Sequence, residues 1–220
     1  MKAYVIGDSH TNFFSGNEQL CFKGIPNIRE SINICKPNTK EFMIFHLGPV
    51  LAYSTSRYLT KTRGREKAEF LFKTGLIAPK MPVICSFGEI DVRMKVLKYA
   101  QKKHCAYSTV VDEIISHYLS FLDFININNE AIVWGPIATQ KDESDIDTNF
   151  PRTGTEYERN IITAYFNEKL KEKCKEHNIK FASIFYDLMD ENYRTKNEYY
   201  ADGVHLSQRA WEFASKKLDL

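Results

Sequence analysis

The sequence has 220 residues, of which 43% are hydrophobic and 26% are charged, as in globular proteins with a sizeable core. Its 30 Lys and Arg residues nearly balance 28 Asp and Glu residues, and a net charge of +2 does not favour a nucleic-acid partner. No apolar run is long enough, at about 18 residues, to predict a membrane span. We therefore expect one domain over residues 1–220. We also expect a cytoplasmic location, because the N-terminus lacks the pattern of a secretory signal.

The cysteines do not suggest a disulfide framework or a structural zinc site, because their number is odd and no CxxC pair occurs. We expect them to be reduced and mostly packed as small hydrophobic residues. They are Cys21, Cys35, Cys85, Cys105 and Cys174.

Short apolar runs alternate with longer helical patterns along the chain. The runs predict five strands buried on both faces, as in a parallel sheet, at residues 3–6, 42–47, 83–87, 131–134 and 180–184. The helical patterns cover residues 65–73, 109–125, 156–177 and 207–217. This alternation predicts a doubly wound α/β sandwich of three layers, with a five-stranded parallel sheet and helices on both faces.

Two long segments, residues 11–41 and 139–155, are predicted to be loops. Ligands of an open parallel sheet bind beyond the carboxyl ends of its strands, so we expect both loops to border the functional site. The second loop is polar and acidic, and it is interpreted equally well as a substrate lid or as a solvated connection.

Residues suited to nucleophilic catalysis stand near the two ends of the chain. Ser9 follows the first predicted strand, but a serine is a poor nucleophile without a base and an oxyanion site. The spacing of Asp202 and His205 lets the carboxylate reach imidazole Nδ1 and leaves Nε2 to face Ser9. Gly48 follows the second strand, and its backbone N–H can approach an oxyanion closely because no side chain intervenes.

These residues resemble the motif blocks of the SGNH/GDSL hydrolase superfamily. The matching blocks are Gly7-Asp8-Ser9, Gly48, Gly88-Glu89-Ile90-Asp91 and Asp202-x-x-His205. The resemblance covers essentially the whole chain and implies a flavodoxin-like fold and an esterase, lipase or carbohydrate deacetylase. It implies that Ser9 is the nucleophile, that His205 is the base oriented by Asp202, and that the Ser9 and Gly48 amides bind the oxyanion.

The same residues also have structural interpretations. Ser9 could cap the following helix, and Asp202 and His205 could be a surface pair that caps the last one. Gly48 could serve only the turn before Pro49. His10 follows the nucleophile directly, but its side chain is expected to diverge from it on a tight turn.

Glu89 departs from the pattern of the superfamily, which has an oxyanion-binding asparagine at this position. An ionised carboxylate cannot donate a hydrogen bond. At about 4 Å it would repel an oxyanion by roughly 4 kcal/mol at an effective dielectric near 20, which slows a reaction about a thousandfold. Glu89 could therefore be protonated, pair with Arg93, Arg57 or Arg63, contact the substrate, or mark a site that no longer hydrolyses esters.

The predicted function is that of a serine ester hydrolase acting without a cofactor on a small-molecule or carbohydrate ester, with Glu89 and Arg93 as candidate substrate-binding residues. Acyl transfer would use the same groups. The alternative hypothesis is a protein of this fold that binds carbohydrate without hydrolysing esters. A phosphatase-like metal site is less favoured, although it could use Asp8, Glu89, Asp91 and His205. The sequence does not indicate the oligomeric state.

Overall fold

The computed structural model describes residues 1–25, 31–35, 41–145 and 148–218. Its strands are β1 (Ala3–Gly7), β2 (Phe22–Gly24), β3 (Asn33–Cys35), β4 (Phe42–His46), β5 (Pro82–Ser86), β6 (Glu130–Trp134) and β7 (Lys180–Ala182). They form one seven-stranded sheet in the order β2-β3-β4-β1-β5-β6-β7. The centre of this sheet is β1, which pairs in parallel with β4 on one side and β5 on the other.

The five predicted strands all exist and run parallel to one another. The central ones are apolar throughout because both of their faces are covered: every residue of β1 is buried. The last strand, β7, ends at Ala182 and is shorter than the predicted run of residues 180–184.

The prediction of a purely parallel five-stranded sheet is wrong. Two further strands, β2 and β3, extend the sheet beyond β4, and both pairings in this extension are antiparallel. They lie in the segment of residues 11–41, which was predicted to be a loop. Each has only three residues of mixed polarity, and most of their side chains are partly exposed, so no alternation of period two marks them in the sequence.

The prediction that all five cysteines are reduced is also wrong. Cys21 and Cys35 form a disulfide, with their Cα atoms 5.3 Å apart. The antiparallel pairing of β2 and β3 places Phe22 opposite Cys35 and so brings the neighbouring Cys21 into range. The other cysteines, Cys85, Cys105 and Cys174, are free.

The helices are α1 (Gly64–Lys73), α2 (Glu89–Asp91), α3 (Leu97–Lys103), α4 (Tyr107–Asn126), α5 (Glu156–Glu176) and α6 (Trp211–Leu218), with a π-helical turn (Val92–Val96) between α2 and α3. Helix α5 begins with the capping box that its sequence indicates, formed by Thr155 and Glu158. The predicted last helix begins instead with a 3-10 turn (Gln208–Ala210), which Ser207 caps. No helix in the described ranges is long and apolar enough to cross a membrane.

The core has one part on each face of the sheet, because successive side chains of a strand point to opposite faces. On β1, Tyr4 and Ile6 pack in the part that includes residues of α1, α4 and α5, whereas Ala3 and Val5 pack with residues of α6. The predicted α/β architecture with helices on both faces is therefore confirmed.

Candidate active site

The carboxyl ends of β1, β4 and β5 meet at one edge of the sheet. Gly7, the last residue of β1, is paired with His46 of β4 and with Ser86 of β5. A Cβ atom at position 7 would overlap the carbonyl oxygen of Ser86, so only glycine permits this approach. The segments that follow the three strands consequently leave the sheet side by side.

Ser9 leaves this edge as the first residue of a 3-10 helix (Ser9–Ser15). The residue that caps this helix is Asp8, whose Oδ1 accepts a hydrogen bond from the His10 amide at 2.9 Å. The capping role considered for Ser9 is therefore filled by its neighbour. Ser9 is partly exposed, whereas Asp8 and His10 are buried, so the turn presents only the serine to solvent.

His205 reaches Ser9 from the other end of the chain. Its Nε2 lies 2.8 Å from Ser9 Oγ, and its Nδ1 lies 2.7 Å from Asp202 Oδ2. The second oxygen of Asp202 accepts hydrogen bonds from the amides of Val204 and His205 at 3.0 and 2.8 Å. The carboxylate is thereby fixed against the imidazole by its own loop.

The protonation state of Asp202 follows from these contacts. Partial burial by itself raises the pKa of Asp202, but hydrogen bonds from the His205 side chain and backbone and from the Val204 amide lower it well below its usual range. The carboxylate is thus ionised and able to stabilise an imidazolium at His205.

Backbone amides suited to an oxyanion are present at Ser9 and Gly48. Neither N–H has a hydrogen-bond partner among the residues that the structure describes. Gly48 has a φ of +89°, which strongly favours glycine. The Leu47 amide donates to the Gly7 carbonyl at 2.8 Å and so ties this turn to the end of β1.

Lys67 of α1 lies directly beneath the Gly48 turn. Its Nζ donates to the Leu47 carbonyl at 2.6 Å, and a Cβ added at Gly48 would lie 3.5 Å from the same nitrogen. The side chain is 7% exposed. A positive charge therefore stands beside one of the two candidate oxyanion amides.

Asp91 anchors the chain that follows Gly48. It accepts hydrogen bonds from the Ala52 and Tyr53 amides at 2.7 and 3.1 Å, and it is buried. Burial raises the pKa of Asp91 to about 7, against the opposing effect of these two amides. These contacts give Asp91 a structural role, because its carboxyl group holds the backbone of residues 52 and 53.

Glu89, which the sequence resemblance matches to an asparagine, is held between two basic side chains. Its Oε1 accepts from Arg93 Nε at 2.7 Å, and its Oε2 lies 3.2 Å from Arg93 Nη2 and 3.1 Å from His10 Nε2. Glu89 and Arg93 are each 5% exposed. Of the explanations considered for Glu89, pairing with Arg93 is confirmed.

Glu89, Arg93, His10 and Asp8 form one buried group, and each of these side chains influences the pKa of its neighbours. Burial by itself raises the pKa of Glu89, but Arg93 and His10 lower it well below its usual range, which argues against a protonated Glu89. Burial by itself lowers the pKa of His10, but Asp8 and Glu89 raise it overall. Burial also raises the pKa of Asp8. Glu89 is therefore an ionised group whose charge is balanced by its neighbours.

Part of the segment 139–155 borders the site, as expected. The Phe150 carbonyl accepts from Arg93 Nη1 at 2.7 Å, and the Thr153 amide donates to the Arg93 carbonyl at 2.8 Å. A Cβ added at Gly203, between Asp202 and His205, would lie 3.3 Å from Ser144 Oγ. Within the described ranges, no group of three or more His, Cys, Asp or Glu side chains is placed to hold a metal ion.

Two residues of this site were not predicted. The side chain of His10 was expected to diverge from Ser9, but its ring lies 5.1 Å from the His205 ring and contacts Glu89, and the sequence indicates no role for Lys67. A buried carboxylate at position 89 requires cationic partners, and that requirement was the available signal for His10. Nothing in the sequence around Lys67 marks it, because its role depends on how α1 packs beneath the Gly48 turn.

No family model and no curated protein matches the sequence. The structure is similar to a GDSL-like lipase from Bacteroides thetaiotaomicron, with a TM-score of 0.56 and 14% identity over 99% of this chain and 86% of the other. It is also similar to a member of the lipolytic protein G-D-S-L family from Veillonella parvula, with a TM-score of 0.53 and 16% identity over 99% of this chain and 96% of the other. A variant of an acetyl-xylooligosaccharide esterase from Geobacillus is similar with a TM-score of 0.53 and 16% identity, over 98% of this chain and 94% of the other.

Proposed function

From the SGNH/GDSL hydrolase fold that this chain shares with those structures, we propose that it is a serine esterase or acylhydrolase. The observation that carries the proposal is the continuous chain of contacts from Ser9 Oγ through the His205 imidazole to Asp202, at 2.8 and 2.7 Å. Such an arrangement activates a serine hydroxyl, because the base is in hydrogen-bond contact with it and a carboxylate orients the base.

In the proposed reaction, Ser9 Oγ attacks the acyl carbon while His205 Nε2 takes the hydroxyl proton. The Ser9 and Gly48 amides donate hydrogen bonds to the oxyanion that forms. His205 then gives the proton to the departing alkoxide, which leaves an acyl group on Ser9. Water attacks this acyl-enzyme with His205 again as base, and the acid is released. An alcohol in place of water would give acyl transfer.

The buried pair of Glu89 and Arg93 is compatible with this chemistry. The positive charge of Arg93, which pairs with Glu89 at 2.7 Å, offsets the repulsion that the Glu89 carboxylate would exert on an oxyanion. Lack of the asparagine donor slows such reactions by about 10² to 10³, which leaves a working enzyme with two amide donors. Since both side chains are buried, we assign Glu89 and Arg93 a positioning role instead of the direct substrate contact expected from the sequence.

For the substrate we propose an O-acyl ester of a carbohydrate. The support is the polar character of the segment 139–155 beside the site and the similarity of the fold to an acetyl-xylooligosaccharide esterase.

The order of the parallel strands, β4-β1-β5-β6-β7, supports the finer assignment to the flavodoxin-like class. The single domain and the cytoplasmic location remain predictions.

The test is labelling with a fluorophosphonate probe together with hydrolysis of p-nitrophenyl acetate. We expect the wild type to be labelled and active, and Ser9→Ala to be neither. Ser56→Ala is a matched control, because Ser56 Oγ also contacts a histidine, His117 Nδ1 at 2.9 Å, with no carboxylate hydrogen-bonded to that ring in the described ranges. It should keep both properties. An unlabelled wild type that still binds acetylated sugars would establish the alternative, a carbohydrate-binding protein without esterase activity.

A further inference from the structure

A wide groove opens beside the Gly48 turn, on the side of α1 and the π-helical turn. Its volume of about 850 Å³ is sufficient for a ligand larger than an acetyl group. Pro49 and Leu51 line it next to Gly48, and Ile90 lines it next to Glu89. The groove therefore begins at residues that flank the turn carrying a candidate oxyanion amide.

Among the described residues that line the groove, every charged one is basic. They are Lys61, Arg63, Lys67 and Lys95, and no carboxylate is among the described lining residues. Lys61 and Arg63 are exposed, and Lys95 is half-buried. Lys61 and Lys95 have no ionic partner within the described ranges. Because the whole protein carries a net charge of only +2, this concentration of one sign is local to the groove.

Lys67 connects this charge to the reaction centre. It lines the groove while its Nζ holds the Leu47 carbonyl next to Gly48. The charge of Lys67 also acts on His46: burial is the largest cause that lowers the pKa of His46 to about 4, and the Lys67 charge is the next. The floor also has apolar side chains, from Ile90, Met94 and Phe150, which suit the faces of a sugar ring or a short apolar group.

We propose that this groove binds the alcohol portion of an ester substrate that carries a negative charge, such as a carboxylate or phosphate group on an O-acylated sugar. Lys61 and Lys95 contact the anionic group, and Lys67 contributes its charge from beneath the Gly48 turn. The inference rests on the proposed esterase activity and narrows its substrate class to anionic esters.

The experiment compares three esters that share a sugar and an acetyl group: acetylated glucose, acetylated glucuronate and acetylated glucose phosphate. We expect kcat/KM for at least one anionic ester to exceed that for the neutral ester by about tenfold. Raising the salt concentration should reduce this ratio, because the Debye length falls from about 8 Å at 0.15 M to about 3 Å at 1 M. The relative rates of acetyl-ester hydrolysis for acetylated glucuronate and acetylated glucose phosphate show whether the groove prefers a carboxylate or a phosphate group.

The double variant Lys61→Gln/Lys95→Gln should lower the ratio of anionic to neutral kcat/KM by about 2- to 25-fold, since one exposed ionic contact is worth about 1.4- to 5-fold. Lys98→Gln/Lys102→Gln is the matched control, because both lysines are exposed on α3 and do not line the groove. It should leave the ratio unchanged.

Ser9-dependent hydrolysis of all three esters with equal efficiency would overturn the anionic preference and leave the esterase proposal standing. Absence of Ser9-dependent hydrolysis would instead refute the esterase proposal. In that case, calorimetric binding of the same esters to Ser9→Ala still tests whether the groove prefers anionic ligands. Equal affinity for the neutral and anionic compounds would refute the inference.

Discussion

Replacing Glu89 with glutamine removes the charge at the centre of the buried group and keeps the size of the side chain. Glu89 accepts hydrogen bonds from Arg93 Nε and Nη2 at 2.7 and 3.2 Å and contacts His10 Nε2 at 3.1 Å. A glutamine oxygen can accept from Arg93, but its amide nitrogen must then face a second donor. The variant leaves two basic groups in a site that is 5 to 7% exposed.

The expected loss of stability is large, because removing one partner of a buried ion pair costs about 3 to 5 kcal/mol. For a protein of this length, 1 kcal/mol corresponds to about 2 to 4 °C in Tm, so Tm should fall by roughly 6 to 20 °C. Esterase kcat should fall by about 10- to 100-fold, since His10 and Ser9 are consecutive and a displaced His10 shifts the nucleophile.

The assay is urea denaturation at several pH values, together with p-nitrophenyl acetate hydrolysis. The ion pair lowers the pKa of Glu89, so its stabilisation is complete above the unfolded value of about 4.3 and is lost as pH falls toward the folded value. The difference in unfolding free energy between wild type and Glu89→Gln should therefore be full at pH 6 and shrink below about pH 4.

Glu172→Gln is the matched control, because Glu172 pairs with Lys169 at 2.8 Å on an exposed helix face and should change stability by less than about 1 kcal/mol. The double variant Glu89→Gln/Arg93→Met should recover part of the stability lost in Glu89→Gln. A Glu89→Gln protein as stable as wild type and more active would refute the reasoning, and would identify Glu89 as an unfavourable substitute for asparagine.

Further variants test the remaining parts of the site. Asp202→Asn should lower kcat for p-nitrophenyl acetate by about 10⁴, and an unchanged kcat would exclude Asp202 as the group that orients His205. Gly7→Ala should destabilise the fold by about 1 to 3 kcal/mol in thermal unfolding, because the added methyl group meets the Ser86 carbonyl; a neutral result would contradict that close approach. Burial raises the pKa of Asp91 to about 7, so the folded protein retains a proton that the unfolded chain releases. Wild-type stability relative to Asp91→Asn should therefore fall as pH rises from about 4 to 7 in urea titrations, and a constant difference would show that Asp91 is ionised in the fold.

The sequence predicted the elements whose burial is nearly uniform. Strand β5 is largely buried because helices cover both of its faces, so its apolar run predicts a buried strand. Helix α4 was found from the stripe that packs on the sheet. The short strands β2 and β3 were missed, and with them the Cys21–Cys35 disulfide, because strands of three partly exposed residues leave no periodic signal.

At the candidate site, local spacing was informative and long-range contact was not. Asp202 and His205 lie three residues apart, so their mutual contact could be anticipated from one loop. The contact between His10 and Glu89 joins residues 79 positions apart, and no sequence pattern indicates how their two segments align with each other. The partner of Glu89 that was anticipated, Arg93, lies one helical turn away.

The two ends of the chain are joined at the point where Ser9 meets His205, across 196 positions of sequence. The same seam is reinforced by Gln208 Nε2, which donates to the Phe13 carbonyl at 2.9 Å, and by Ser207 Oγ, which donates to Glu18 at 3.0 Å. A growing polypeptide cannot bring the pair together until the segment around His205 has left the ribosome. The proposed esterase activity would thus appear only after that segment has been synthesised, and a proteolytic cut that releases it would remove His205 from Ser9 without changing the serine itself.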